Sequence, residues 1–287
     1  MRYEAPETLD AALSLLAEAG ATARVLAGGT DLLVQLRAGR IAPTLLVDVK
    51  RIAELRSIAP CDGGWRVGAA VTGMELIEHE AFAQSWPGVV EAVRMIGSIQ
   101  VKGRATLAGN LCNASPAADS VPALIAAGAV ATLAGRAGRR DLPVEQIATG
   151  PGRTCLAPGE VLTSFLFAPR PPRSGDAYLR FTPRTEMDIA VVGAGVNLAL
   201  DAGGVCREAR VSLGAVADRA LLVPEAASAL VGTRIDEAAL QRLGAAASAA
   251  CRPIDDKRGT REFRTTVAGV LAKRAVQRAL ERARRSN

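Results

Sequence analysis

The sequence predicts an α+β fold in two domains, residues 1–175 and 176–287, and three observations predict it. Up to position 167, short β-prone runs closed by glycine or aspartate turns alternate with helical patterns. The segment APRPPRSGD, positions 168–176, crowds proline and arginine among small residues and reads as a connection. Beyond it come three β runs and then alanine-rich helical spacing to the end. With 49% hydrophobic and 22% charged residues, a chain of 287 can fill two modest cores.

In order, Leu9, Ala12, Leu13, Leu16 and Ala17 make an amphipathic helix over 7–19, stopped by Gly20. Residues 24–27 are a short strand entering a glycine turn at 27–31, and helical spacing resumes at 32–37. Strands follow at 45–48 and 57–59, and Asp62, Gly63 and Gly64 turn a hairpin into 65–69. Helices are expected over 74–83 and 88–95. The glycine-rich run 96–129 then reads as a long loop feeding a helix near Ser120. Strands at 130–133, 139–142 and 161–167 complete the first domain. The second holds a three-stranded sheet, 178–181, 191–200 and 205–213, with a turn at 201–204. Helices over 224–231, 237–250 and 261–284 follow it.

Composition excludes several function classes. The net charge is +6, yet aromatics are 3%, acids are interspersed with the arginines and no nucleic-acid motif is present. An arginine-rich solvated face or subunit interface is expected, and no nucleic-acid partner. No run approaches the ~20 apolar residues of a membrane span, and MRYEAPETLD lacks a signal-peptide core, so no membrane span is expected and the location is the cytoplasm. Cys61, Cys112, Cys155, Cys206 and Cys251 form no C-x-x-C pair. They read as small hydrophobes rather than metal ligands or a disulfide framework. The single histidine, His79 between Glu78 and Glu80, reads as a surface residue with no triad or metal partner. No G-x-S-x-G and no P-loop lysine occurs, so no catalytic side chain and no metal site is assigned.

The informative residues lie in two glycine-rich stretches. In 96–129, Gly97, Gly103 and Gly109 permit positive φ or close backbone approach, with Thr106, Asn110, Asn113, Ser115 and Ser120 between them. Such a run suits a chain wrapped around a large polar ligand, with free N–H groups to meet phosphate. Asp119 precedes the helix at Ser120, where an N-cap is the plainer role. Thr106 and Asn110 have ordinary turn roles as alternatives.

Together, the earlier turn at 27–31 and the long run resemble the two flavin loops of the FAD-binding medium subunits of molybdenum hydroxylases, the xanthine dehydrogenase and carbon monoxide dehydrogenase flavoprotein type. The resemblance covers nearly the whole chain. It implies a two-lobed FAD domain of the vanillyl-alcohol oxidase (PCMH) type over 1–175, and over 176–287 a smaller C-terminal α/β domain like that of the carbon monoxide dehydrogenase flavoprotein. It further implies one FAD bound without a covalent link. Arg24, Val25, Leu26, Ala27, Gly28, Gly29, Thr30 and Asp31 match the first clamp. Ala105, Thr106, Gly109, Asn110, Asn113 and Asp119 match the second, Asp119 accepting from ribityl hydroxyls. Ile96 matches a position against the isoalloxazine face, and Leu162 one whose backbone meets the flavin. Arg180 stands near a lysine of relatives that approaches the ring, where a positive group would stabilise anionic reduced flavin. Ile189 replaces a tyrosine of some relatives. Asp256 to Gly259 with Thr260, Phe263 and Arg264 resembles a family signature read as a structural acid–base staple.

By the same resemblance, the protein is an electron-transfer subunit of an oxidoreductase. Its partners are an iron–sulfur small subunit with [2Fe–2S] clusters and a large subunit with the molybdenum cofactor, as a heterotrimer or its dimer. A self-contained FAD-dependent oxidase or reductase acting on its own substrate is the alternative.

Overall fold

The computed structural model describes residues 1–184 and 187–286. Its first sheet is parallel, in the order β1 (Arg2–Glu4), β3 (Leu45–Asp48), β2 (Ala23–Leu26). Helix α1 (Leu9–Ala19) is capped by the Thr8 hydroxyl and ends at Gly20, φ 56°. Its Leu9, Ala12, Leu13 and Leu16 fill a small core with β3. Helix α2 (Leu32–Arg37) follows the first glycine turn directly. Strand β1 escapes a reading of the sequence because three exposed or half-buried residues have no pattern of their own; pairing with β3 makes it a strand.

The second sheet runs β4 (Ile58–Cys61), β5 (Gly64–Gly68), β10 (Val161–Phe167), β6 (Val130–Gly135), β7 (Gly138–Pro143). The β4–β5 hairpin turns through Asp62 and Gly63, both at positive φ. Between β5 and β6 lie six helices: α3 (Gly73–Glu78), α4 (Glu80–Ser85), α5 (Pro87–Arg94), α6 (Ile99–Lys102), α7 (Leu107–Cys112) and α8 (Ser120–Ala126). A two-stranded ribbon, β8 (Ala148–Gly150) with β9 (Arg153–Thr154), precedes β10.

Two expectations are corrected here. The helix expected over 74–83 is two helices, broken at His79, whose ψ of 90° leaves the helical region. His79 is no idle surface residue. Its Nδ1 accepts from Phe82 N at 3.2 Å, capping α4, and its ring meets Trp65 edge-on at 5.2 Å. The run 96–129 is likewise not an open loop: α6, α7 and α8 form within it, because Ser98 and Thr106 cap the first two.

The C-terminal part is an antiparallel sheet, β11 (Ser174–Phe181), β12 (Val192–Leu200), β13 (Cys206–Gly214), with a fourth, two-residue strand β14 (Leu221–Leu222) beyond the three expected. Helices α9 (Pro224–Ser228), α10 (Glu237–Ala250) and α11 (Arg261–Arg285) pack on it around a core of small aliphatics. Strand β11 starts earlier than the sequence suggests. Ser174 pairs with Ala199, and Asp176 is 3% exposed between Arg170, at 2.8 Å, and Gly88 N. A buried carboxylate disguised this strand as part of the connection. Asp256 and Arg264 are joined at 2.7 Å, so the staple is present.

Candidate functional site

The first glycine turn and the second stretch touch. A Cβ built on Gly28 would fall on the Arg104 carbonyl and lie 3.0 Å from Ala105 Cα, so glycine is what permits this approach. Gly29 follows at φ 76°. Gln35 of α2 donates to Asn113 Oδ1 at 2.9 Å, tying the helix after the first turn to the end of α7. Gly73 N donates to Ala105 O at 2.8 Å and Thr72 bridges Thr106, which fixes the second stretch from its other side.

Two rows of backbone donors result. Among the described residues no hydrogen bond takes up the N–H of Gly28, Gly29, Thr30 or Asp31, nor that of Thr106 or Ala108, while Leu107 N–H faces Val71 in the bridge of Thr72 to Thr106. Gly109, in the first turn of α7, is exposed, and its Cβ position meets only Thr106 Oγ1 at 3.1 Å. Neither Gly103, φ −65°, nor Gly109 has positive φ; of the three glycines singled out in this run only Gly97 does, at 51°. Close approach, not backbone handedness, is what Gly109 offers.

Several polar side chains serve the protein itself. The Thr106 hydroxyl accepts from Gly109 N at 2.9 Å as the N-cap of α7. Asn110 Oδ1 accepts from both Ser120 N and Ser120 Oγ, bracing the start of α8. Arg24 turns back to the carbonyls of Ala21 and Ala23. Val25 is half-buried and Leu26 buried in the strand they share, and Leu162 is 2% exposed in β10, paired with Leu133.

A third group converges from the C-terminal part. Asp119 stands at the N-cap position of α8 without capping it. Instead Oδ2 accepts from Arg180 at 2.9 Å and Oδ1 from Tyr178 at 3.0 Å. Arg180 also donates to Met95 O, and Lys102 Nζ to Ile96 O and Gly97 O, so two cations hold the bend that carries half-buried Ile96. The charge on Arg180 is therefore shared with a carboxylate. Ile189 is 51% exposed.

Tyr178, Lys102 and Gln35 are members of this network that the sequence reading missed. Tyr178 was within reach, because alternate residues of a strand share a face and Tyr178 and Arg180 both lie in β11.

Burial pushes the Asp119 carboxyl up to about 6, with Arg180 and then Tyr178 pulling the other way. Its folded value thus lies above its unfolded one. The stability this gives is complete below about pH 4 and is lost as pH rises through about 6. Asp119→Asn, which does not titrate, isolates the effect. The gap in unfolding free energy between apoprotein and variant should move against the natural chain by about 3 kcal/mol between pH 3 and 7. Urea unfolding across that range reads it, and a constant gap would refute it.

The comparisons with known proteins decide the family. A model described as the FAD binding domain in molybdopterin dehydrogenase matches residues 1–170, and one described as the CO dehydrogenase flavoprotein C-terminal domain matches 177–279. The chain is an FAD-binding subunit of the molybdenum hydroxylase family. Among the relatives of this flavoprotein, the carbon monoxide dehydrogenase medium chain of Afipia carboxidovorans is 34% identical over 98% of this chain and 97% of that protein. The xanthine dehydrogenase FAD-binding subunit of Escherichia coli O157:H7 is 30% identical over 97% and 95%. A Cu,Mo-CO dehydrogenase structure superposes with TM-score 0.94 at 34% identity, covering 98% of both chains. Quinoline 2-oxidoreductase from Pseudomonas putida 86 gives 0.90 at 31%, covering 99% of this chain and 98% of that one. The chain is thus an oxidoreductase subunit that binds FAD. No helix among the described residues is long and apolar enough to cross a membrane.

Proposed function

We propose that this subunit takes electrons from a [2Fe–2S] cluster on an iron–sulfur small subunit and passes them to an external acceptor, while a large subunit with the molybdenum cofactor oxidises the substrate. The three chains form a heterotrimer or its dimer. The domains divide near residue 175. The five free thiols suit a reducing compartment, the cytoplasm.

The observation that carries this reading is the closure of the Gly28 turn onto Arg104 and Ala105, with two rows of unpartnered N–H groups at the seam. Such donors fit a pyrophosphate, which needs many hydrogen bonds and close backbone. Residues 24–31 form the first clamp, with the N–H groups of Gly28 to Asp31 as its row of donors. Ala105, Thr106, Gly109, Asn110 and Asn113 line the second stretch, the side chains of Thr106 and Asn110 acting as braces; its free main-chain donors are the N–H groups of Thr106 and Ala108, since those of Ala105, Gly109, Asn110 and Asn113 are bonded within the protein. Asp119 retains lone pairs for ribityl hydroxyls. Ile96 packs one face of the ring, the Leu162 main chain borders it, and Arg180 sets the local charge. The bound FAD supplies the redox chemistry; these residues bind and orient it.

The link to FAD is non-covalent. His79 is engaged at the joint of α3 and α4. Burial pushes the thiols of Cys206 and Cys251 up to about 11 and, with a smaller part from Cys155, that of Cys112 up to about 12, so none is a ready nucleophile. Acid precipitation should release all the flavin and leave a colourless pellet, and the washed chain should contain no iron, zinc or molybdenum. Flavin retained in the pellet, or stoichiometric metal, contradicts this.

Expression with the neighbouring reading frames tests the subunit role. Substrate should reduce the flavin in the complex and fail to do so in the isolated chain. An isolated chain that turned over a substrate of its own would make it a self-contained oxidase.

A further inference from the structure

The half-buried lysine after β3 is explained neither by the core nor by any clamp residue. Lys50 Nζ donates to Ala27 O at 3.0 Å and to Asp48 Oδ2 at 2.7 Å. Its side chain is 30% exposed and that of Asp48 only 8%. Asp48 is itself fixed: Tyr3 donates to Oδ2 at 2.6 Å and Lys50 N to Oδ1 at 3.0 Å. Burial works against its charge, but the bonds from Lys50 and Tyr3 outweigh burial and hold the carboxyl below its ordinary range. An ionised aspartate thus aims an ammonium at one carbonyl of the first glycine turn.

That carbonyl lies where the β ladder stops. Leu26 pairs with Asp48, and Leu26 O is taken by Val49 N at 3.1 Å. Ala27 O, one residue on, has no strand partner and is taken by Lys50 instead. In a planar trans peptide the C=O and the following N–H point opposite ways. Holding Ala27 O towards Lys50 therefore turns Gly28 N–H away from it. Gly28 cannot escape by shifting, since its α-carbon is pressed against the Arg104 carbonyl.

We propose that Lys50 is a positioning residue for the cofactor: it pins the Ala27 carbonyl on the protein side of the turn, so that Gly28 N–H faces the FAD pyrophosphate. This rests on the reading that the two glycine stretches hold that group. Lys50 acts through geometry, because Asp48 cancels its charge locally and its ammonium is engaged by Ala27 O and Asp48 Oδ2. The Tyr3–Asp48–Lys50 chain also gives β1, the short first strand, a part in building the site.

The test titrates apoprotein with FAD and, separately, with ADP, which carries a pyrophosphate without the flavin. Lys50→Met and Lys50→Gln should each weaken both ligands by about tenfold, as expected for one misaligned hydrogen bond to a charged group. Lys50→Arg, which keeps a cationic donor, should recover most of this. The ³¹P resonances of bound FAD should shift in the methionine variant while the visible flavin band stays in place. A purely structural lysine would leave the phosphorus signals unmoved. Normal binding of both ligands by either neutral variant overturns the proposal, as does a loss confined to FAD. If Gly109→Val loses FAD in the same titration while Lys50→Met does not, the site stands and the role of Lys50 falls. If both variants bind normally, the site assignment itself is wrong.

Discussion

Gly109→Val is expected to fold and melt as the natural chain does, yet to bind FAD on the order of 10² to 10⁴-fold more weakly. The backbone at Gly109 is helical and the residue is exposed, and the only atom near an added Cβ is Thr106 Oγ1 at 3.1 Å. An added Cβ crowds that hydroxyl alone, which must give by a few tenths of an ångström, and valine is no worse than glycine inside a helix. On the proposed reading the side chain enters the space of a pyrophosphate held by the free N–H groups of Thr106 and Ala108 in the same turn. If about two charge-assisted bonds are lost at ~1.5 to 3 kcal/mol each, the stated range follows. Asp119→Ala should cost less, about tenfold to a hundredfold, because neutral hydroxyls replace phosphate as its partners. Its loss also leaves Arg180 and Tyr178 without their shared acceptor, so some stability goes with it. The order of the two effects is the result to watch. Fluorescence titration of apoprotein, with circular dichroism on each variant, measures it, and normal FAD binding by Gly109→Val would remove the second stretch from the site.

What the sequence displayed depends on the range of the forces involved. Elements with local signals were legible: the Asp62–Gly63 turn, the apolar run of β10, the helical spacing of α10. Elements that exist only through a distant partner were not. Strand β1 needs β3, β14 needs β13, and the first residues of β11 need Arg170 to neutralise Asp176. The glycine stretches were recognisable because glycine is the local mark of close approach, although the partner of Gly28, Arg104, could not be named from spacing. Thr106 shows the opposite error. A polar side chain in a glycine-rich bend suggests a ligand, and here its hydroxyl is spent on capping a helix that the run did not seem to contain. Asp119 combines the two cases, since its place before α8 was visible and its partners, some sixty residues on, were not.

Arg264→Met is expected to destabilise the C-terminal part by about 3 kcal/mol while leaving the FAD affinity of the folded protein unchanged. Arg264 leaves α11 to donate to Val191 O at 2.9 Å, Ala215 O at 3.2 Å and Asp256 Oδ1 at 2.7 Å, and it is 3% exposed. Methionine matches its stem but donates nothing. The two carbonyls would then be buried without a partner, at ~1 to 3 kcal/mol each. Asp256, with its side chain 28% exposed, can turn to water, so its share of the loss is the smaller one. Ala215 adds to the cost, because its φ of 63° is disfavoured for alanine and Arg264 holds its carbonyl in place. Arg264→Lys should recover little, since one ammonium cannot reach two carbonyls and a carboxylate with a planar fork's geometry. Denaturant unfolding should show a lower midpoint with the same slope in both variants. A midpoint equal to that of the natural chain would mean that the staple contributes nothing net, its desolvation having offset its bonds.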